Sequence, residues 1–121
     1  MTFRNWNDTS IKRSTKQKFD TKVAQEYGLE ESIFLNVLQF EITYYKTHKT
    51  EEKEHKGRWW MNGSVNTFVR LFPFWTKKQI ERIIKSCINQ DVIITGNYNE
   101  SKWDKTTWYA FKNEDEWIET K

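Results

Sequence analysis

The sequence is poor in the features that would cross-link the chain or place it in a membrane. It contains one cysteine, Cys87, so an internal disulfide and a zinc site built from several thiolates are both excluded. It also has no apolar run long enough to serve as a signal peptide or to span a bilayer. We therefore expect a cytoplasmic protein that has no membrane partner.

Motifs of catalysis are missing as well. The chain has no glycine-rich phosphate-binding loop and no G-x-S-x-G nucleophile motif. A nickase would need a metal-binding histidine pair around an apolar residue, whereas His48 and His55 are seven residues apart in a predicted loop. Cys87 is expected to be an inert core residue, because it lies on an apolar helix face without a histidine nearby in sequence. We predict a protein that is not an enzyme and that needs no metal or other cofactor.

Aromatic residues and locally concentrated basic charge are what the chain has in excess. Aromatics make up 17% of the 121 residues and include seven tryptophans, enough for one modest core in a single domain. The net charge is only +3, but residues 76–112 hold seven bases against four acids, and residues 1–19 hold five against one. We predict a flexible basic arm over 1–19, a folded domain over 20–112 and an acidic tail over 113–121.

The first half of the predicted domain reads as two helices and a loop. Asp20 or Thr21 can cap a short helix that ends at Gly28, where a positive φ is favoured. A second helix, from about residue 30 to 46, has apolar side chains on two adjacent faces. This width predicts either the central helix of the domain or a helix that also contacts a second subunit, which leaves a homodimer open. Residues 46–58 are charged and without an apolar residue, so we expect a solvated loop.

Residues 59–75 predict a strand, a helix and a sharp turn. The run WWM is suited to a short strand, and Ser64 can cap the helix that follows it. Apolar residues recur in that helix at helical spacing until Pro73, which ends it because a residue that precedes proline avoids the α region. Phe74 and Trp75 are expected to fill the core at the turn.

The next helix, predicted over Lys77 to Asn89 behind a cap at Thr76, has two unlike sides. The apolar side is made of Ile80, Ile83, Ile84 and Cys87. The opposite side carries polar donors in steps of four, three and four residues, namely Lys78, Arg82, Lys85 and Asn89. Glu81 interrupts the polar side only partly, because it can pair with a lysine of the same helix.

The remaining pattern predicts a two-stranded ribbon. Residues 91–97 are rich in β-branched side chains, and Thr107 to Phe111 forms a good returning strand. The loop between them carries Lys102, Trp103 and Lys105 and has the character of a wing. Strand, helix, turn, basic helix and ribbon follow one another as in a winged helix-turn-helix. The predicted fold class is therefore α+β, mainly α with a small antiparallel sheet.

A winged helix usually binds double-stranded DNA, because the major groove admits one α-helix with phosphates on both sides. Gln79 and Arg82 are assigned to reading bases, since their side chains can form paired hydrogen bonds with adenine and guanine. The lysines of the helix are assigned to phosphates. In the wing, Asn99 and the two lysines are expected to meet the neighbouring backbone or the minor groove. The predicted DNA contacts are Thr76, Lys77, Lys78, Gln79, Arg82, Lys85, Asn89, Asn99, Lys102, Trp103 and Lys105.

A second interpretation competes with DNA binding. A basic helix face is often no more than a solvated surface, and winged helices also serve as protein-docking modules. Trp103 fits both interpretations, because an exposed wing tryptophan can wedge into a groove or mark a protein interface. The alternative function is therefore the binding of a host protein.

Several segments resemble one family. These are KVAQEYGLEESIFLNVLQFEITYY, WWMNGS, FPFWT followed by I-x-R-x-I-K, and NYN with DKTxWY after it. They are similar to the amino-terminal winged-helix domain of replication initiation proteins, of the replisome-organiser and DnaD-like kind, from phages and plasmids of low-GC Gram-positive bacteria. The resemblance covers about residues 19–112. It implies an origin-binding domain in the bacterial cytoplasm or nucleoid that often dimerises and that recruits host replication proteins through a further region.

The sequence departs from this family pattern in two places. It stops at Lys121, where such initiators usually continue into a second domain, and a usual glycine is replaced within the run Gln90-Asp91-Val92. The turn before the first ribbon strand is therefore expected to be altered. The length leaves two expectations open. The chain is either an excised DNA-binding domain or a small phage- or plasmid-encoded regulator or inhibitor, with anti-defence proteins among them.

Overall fold

The computed structural model describes residues 16–118, which form an α+β structure with five α-helices and two small antiparallel sheets. The helices are α1 Thr21–Tyr27, α2 Leu29–Thr47, α3 Val65–Leu71, α4 Lys77–Asn89 and α5 Glu114–Trp117. The strands are β1 Glu54–His55, β2 Arg58–Trp59, β3 Met61–Gly63, β4 Ile93–Gly96 and β5 Thr107–Phe111. A one-turn 3₁₀ helix covers Glu51–Lys53.

The junction between α1 and α2 confirms the predicted cap and stop. The carboxylate of Asp20 accepts hydrogen bonds from the backbone N–H groups of Lys22 and Val23, at 2.8 and 3.2 Å. Gly28 has a φ of 112°, a conformation that side-chain-bearing residues rarely adopt. The chain can therefore leave α1 and begin α2 within a single residue.

Helix α2 is the central helix of the domain, as one of the two sequence interpretations proposed. It contacts α1, α4, β2 and β3. The face formed by Phe34, Leu38, Ile42 and Tyr45 is fully buried in the core. The adjacent face is only partly covered, and Phe40 remains 41% exposed. Packing in the centre of the domain therefore accounts for most of the apolar side chains on the two faces of α2. A homodimer stays a prediction.

The prediction that residues 46–58 form a solvated loop is wrong for most of this segment. A 3₁₀ turn is followed by the hairpin β1–β2, in which Glu54 pairs with Trp59. Lys53 orders the segment, because its ammonium group donates to Asn62 Oδ1 and lies 5.2 Å from the Tyr45 ring centre and 5.4 Å from that of Trp108. Burial lowers the pKa of Lys53, while the nearby charges of Glu52 and Glu41 act in the opposite direction.

The main sheet has the strand order β3-β5-β4, with antiparallel pairing throughout. One face contributes Met61, Ile93, Tyr109 and Phe111 to the main core. The other face carries Trp108 and Ala110, which form a second, smaller apolar cluster with Trp60, Ile94 and Tyr98. The sheet is therefore covered by side chains on both faces, which explains the weak alternation of the β4 sequence.

The turn before β4 contains no glycine. Asp91 takes up the positive φ there, at 61°, and its carboxylate lies 3.6 Å from the ammonium group of Lys112. Aspartate tolerates this left-handed conformation better than most residues with a side chain. The turn therefore adopts a left-handed conformation without a glycine, and its alteration relative to the family pattern stays a prediction.

The turn between α3 and α4 is built largely as predicted. Ser64 and Thr67 form a capping box at the start of α3, and the helix ends at Leu71, two residues before Pro73. Phe74 is the exception, because it is 57% exposed instead of filling the core. Its ring lies 5.0 Å from that of Trp75, which is only partly buried. The core position at this turn is occupied by Phe72.

The predicted acidic tail is not separate from the domain in its first six residues, 113–118. The backbone N–H of Trp59 donates to Glu114 Oε1 at 2.8 Å, and the Trp117 ring stacks on Phe111 with centroids 4.7 Å apart. Ile118 is 1% exposed. Two apolar residues among the acids thus dock this segment onto the core, so the packing continues beyond residue 112, where the sequence predicts the domain to end.

Most of the predicted basic arm, residues 1–15, lies outside the described residues, as do residues 119–121. Residues 16–20 belong to no helix or strand, and the Gln17 side chain donates to the Leu71 carbonyl oxygen at 3.1 Å. None of the helices within residues 16–118 has both the length and the apolar composition that a bilayer crossing needs. The same residues contain no group of three or more His, Cys, Asp or Glu placed to hold a metal ion.

Candidate nucleic-acid interface

Helix α4 presents the two unlike sides that its sequence predicts. Ile80, Ile83, Ile84 and Cys87 are buried in the main core. Lys78, Arg82, Lys85 and Asn89 are all exposed on the opposite side. The orientation of the helix, on which the DNA-binding hypothesis depends, is therefore confirmed. We call these four exposed residues the polar ridge.

The amino end of α4 is closed by a capping box. Thr76 Oγ1 accepts from the backbone N–H of Gln79 at 3.1 Å, and Gln79 Oε1 accepts from the backbone N–H of Thr76 at 2.8 Å. Paired hydrogen bonding to adenine requires the amide oxygen of a glutamine as well as its nitrogen. The capping box uses one of the two lone pairs of Gln79 Oε1, so Gln79 is less free to turn toward adenine than an uncapped glutamine would be.

The first turn of α4 favours a negatively charged ligand. It contains Lys77 and Lys78, both exposed, and no acidic residue. A helix amino terminus carries a partial positive charge. The capping box engages only some of the backbone N–H groups in this turn, and the others lie outside it. The charges of the two lysines and the partial positive charge of the helix end therefore both attract an anion here.

The carboxyl half of the ridge is held against the α1–α2 junction. Arg82 Nη1 lies 3.1 Å from Glu30 Oε1, and both side chains are partly exposed, at 57% and 36%. Gln90 Nε2 donates to the Tyr27 carbonyl oxygen at 3.0 Å and to Ser86 Oγ at 3.1 Å. An open depression of about 420 Å³ on this half is lined by Arg82, Lys85, Ser86, Asn89 and Gln90.

The positive charge of the candidate interface belongs to the helix more than to the wing. Within α4, four basic residues face the single acid Glu81, so the helix carries a formal charge of +3. In the loop 97–106, Lys102 and Lys105 are balanced by Glu100 and Asp104, so the wing is formally neutral. Electrostatic attraction to a polyanion therefore has its centre on α4.

Asn99 has a structural role within the wing, in contrast to its predicted contact with DNA. Its Nδ2 donates to the carbonyl oxygens of Asp104 and Thr106, at 2.9 and 2.8 Å. Its Oδ1 accepts from Trp108 Nε1 at 2.7 Å. Both amide hydrogens and one oxygen lone pair are thus used inside the loop. Asn99 holds the two sides of the wing together and has little left to offer a ligand.

Further hydrogen bonds shape the tip of the wing. Asp104 Oδ1 accepts from the Thr106 backbone N–H at 2.9 Å, and hydrogen bonding with Thr106 lowers the pKa of the Asp104 carboxyl. Ser101 Oγ accepts from the Trp103 backbone N–H at 3.2 Å. This loop displays Trp103, which is 80% exposed, with Lys102 Nζ 5.5 Å from its ring centre. Lys105 is exposed as well.

The base of the wing rests on the β1–β2 hairpin. The His55 ring stacks on Tyr98 with centroids 4.3 Å apart and planes 3° from parallel, and it meets the Trp108 ring edge-on. Trp60 Nε1 donates to the His55 carbonyl oxygen at 2.9 Å. At Gly96 a Cβ atom would lie 2.9 Å from the Tyr98 ring and 3.2 Å from the Trp60 ring, so only glycine lets these rings approach β4.

The contacts that Glu30 and His55 make at this site are not among those predicted from the sequence. Glu30 marks the start of a predicted helix, and His55 lies in the predicted charged loop. The available signal was indirect, because aromatic residues are dense on both sides of the predicted loop and wing.

No family model, no curated protein and no solved structure matches this chain.

Proposed function

We propose that the chain is a winged helix-turn-helix domain that binds double-stranded DNA. In this proposal α3 and α4 form the helix-turn-helix, and residues 97–106 form the wing between β4 and β5. The order of elements, from α2 through β3, α3, α4 and β4 to β5, supports the proposal. So does the strand order β3-β5-β4, because the loop 97–106 then joins two neighbouring strands of a small sheet packed beside α4.

The outward polar ridge of α4 is the observation that carries the proposal. A helix exposed along one side can enter the major groove, where Lys77, Lys78 and Lys85 meet phosphates. Arg82 is the candidate for reading guanine, since its guanidinium can donate two parallel hydrogen bonds. Lys102 and Lys105 contact the neighbouring backbone or the minor groove.

The biological setting of the proposal rests on the family resemblance described above. We propose that the DNA target is a replication origin of a phage or plasmid, and that binding serves replication initiation. A homodimer that reads two half-sites, and a contact with host replication proteins, belong to the same proposal. The protein acts in the cytoplasm or nucleoid and performs no chemistry on the DNA.

The first test measures duplex binding at several salt concentrations. Each lysine that neutralises a phosphate contributes about 0.9 to the slope of log affinity against log salt concentration. Lys78→Ala is expected to weaken binding and to reduce this slope by about one unit. Lys22→Ala removes the same charge from an exposed position on α1 and serves as the control.

Arg82→Ala completes this test, because it is expected to relax base preference as well as affinity, by about 1–3 kcal/mol at the preferred position. Protection mapping on the encoding replicon supplies that position. Unchanged affinity in the Lys78→Ala, Arg82→Ala double variant, with a folded circular dichroism spectrum, would remove the basis for DNA binding through α4.

A second candidate function is the capture of a host protein, favoured by the aromatic side chains on the surface. Trp103 is 80% exposed and Phe74 is 57% exposed, and a neutral wing attracts DNA weakly. Exposed tryptophan is enriched among the residues that dominate protein interfaces. This candidate predicts no salt-sensitive DNA binding, together with a complex with a host protein that Trp103→Ala abolishes and Lys78→Ala leaves intact.

A further inference from the structure

We infer that Glu30 is an internal competitor for Arg82, so that duplex DNA exchanges with its carboxylate when the Nη1 edge of Arg82 takes a base or phosphate. This inference rests on the proposed function, because it concerns the availability of the same arginine. It adds a positioning residue, Glu30, that lies on α2 and outside the helix-turn-helix and the wing.

The geometry of the pair permits such an exchange. Arg82 Nη1 and Glu30 Oε1 are 3.1 Å apart, which is a charge-assisted contact through one guanidinium nitrogen. Both side chains are substantially exposed, at 57% and 36%, so water can take over either partner when the pair opens. Exposed pairs of this kind contribute only about 0.2–1 kcal/mol. The contact holds Arg82 in place without locking it.

The position of Glu30 makes it a competitor and not merely a neighbour. It lies in the first turn of α2, whose amino end stabilises a negative charge. Its partner Arg82 lines the open depression together with Lys85 and Asn89, on the side of α4 that faces solvent. A phosphate that takes the Nη1 group of Arg82 replaces the Glu30 carboxylate, because two anions on one nitrogen repel each other. That donor of Arg82 is therefore available only to a ligand that outweighs its present partner.

Removing the carboxylate is expected to strengthen binding. Glu30→Gln keeps the size and polarity of the side chain and frees the Arg82 charge. Duplex affinity at low salt should rise by a factor of about 1.5 to 5, which corresponds to the worth of an exposed pair. The salt slope should change little, because the same cations contact the DNA in both chains once the carboxylate is displaced. Glu26→Gln is the matched control, since it removes an equal charge from an exposed position on α1.

A double-variant cycle separates partner exchange from general electrostatics. In an Arg82→Ala background, Glu30→Gln is expected to have no effect on affinity beyond that of Glu26→Gln. A gain that persists without Arg82, or an unchanged affinity of Glu30→Gln in the native background, would overturn the inference. Absence of duplex binding by the unmodified chain would instead refute the proposed function. The same cycle measured by urea unfolding without DNA tests the pair itself, and zero coupling there also overturns the inference.

Discussion

Replacing Asn99 tests whether the wing is held in shape by one side chain. Asn99→Ala removes two donors to the carbonyl oxygens of Asp104 and Thr106 and the acceptor of the Trp108 indole N–H. Water can replace the first two partners, because this part of the loop is largely exposed. Trp108 is buried, so its indole N–H loses its partner in a place that water reaches poorly.

The expected destabilisation follows from these three hydrogen bonds. A buried donor left without a partner costs about 1–3 kcal/mol, and each bond replaced by water costs about 0.5–1.5 kcal/mol. Asn99→Ala should therefore lower the free energy of unfolding by roughly 2–6 kcal/mol. Asn99→Asp keeps the acceptor for Trp108 but turns a carboxylate toward two carbonyl oxygens. It should open the loop while leaving the indole hydrogen bond in place.

Two assays separate the loop from the core. Urea unfolding followed by circular dichroism gives the change in stability, and trypsin cleavage at Lys102 and Lys105 reports opening of the wing. Both Asn99 variants should be cleaved faster than the native chain. Glu100→Ala changes an exposed neighbouring residue and should be cleaved at the native rate. Native stability together with native cleavage rates in Asn99→Ala would refute the bracing role.

Two further predictions concern the core. Burial raises the pKa of the Cys87 thiol from 9.0 to about 12. Between these values the unfolded chain loses the thiol proton and the folded chain keeps it, so the free energy of unfolding should fall by about 1.4 kcal/mol per pH unit relative to Cys87→Ala. A parallel pH dependence of the two chains in urea unfolding would contradict this. Ile118→Ala should cost about 2–5 kcal/mol because its side chain is fully buried, whereas Glu116→Ala, which is exposed, should cost little. Equal midpoints in a thermal scan would show that the last described residues add nothing to the core.

Helices α1 to α4 could be predicted from the sequence because each is specified locally. The isoleucines of α4 recur at helical spacing, and Thr76 with Gln79 gives the start of that helix within four residues. Gly28 and Pro73 mark helix ends for reasons of backbone geometry alone. The start of α4 and the side that it buries could therefore be predicted without contacts that are distant in sequence.

The segments predicted wrongly are those ordered by contacts distant in sequence. Lys53 lies against the ring of Trp108, 55 positions later in the chain, and Trp59 binds the carboxylate of Glu114. Polar and charged composition predicts solvent exposure when neighbours are unknown. In this fold, aromatic rings and backbone groups from distant parts of the chain pair with these charges. Such contacts leave no periodic pattern in the sequence.

At the candidate site, the sequence predicted which side chains lie near one another better than which of them are available. Lys78 and Lys85 are exposed as expected, but Gln79 Oε1 and the amide of Asn99 are engaged within the chain, and Arg82 already has a partner. Hydrogen-bond partners depend on side-chain direction, which residue type and spacing do not determine. The availability of these side chains for a ligand therefore could not be predicted from the sequence.

The stacking of His55 on Tyr98 has a consequence for how this surface can diversify. The loop 97–106 is supported from below by a hairpin that precedes α3 in the chain and belongs to neither α4 nor the main sheet. Insertions or deletions near residues 48–58 would shift that support and tilt the loop, while α4 stays fixed by its isoleucines. The position of the loop and the exposed side of α4 are therefore set by separate parts of the chain.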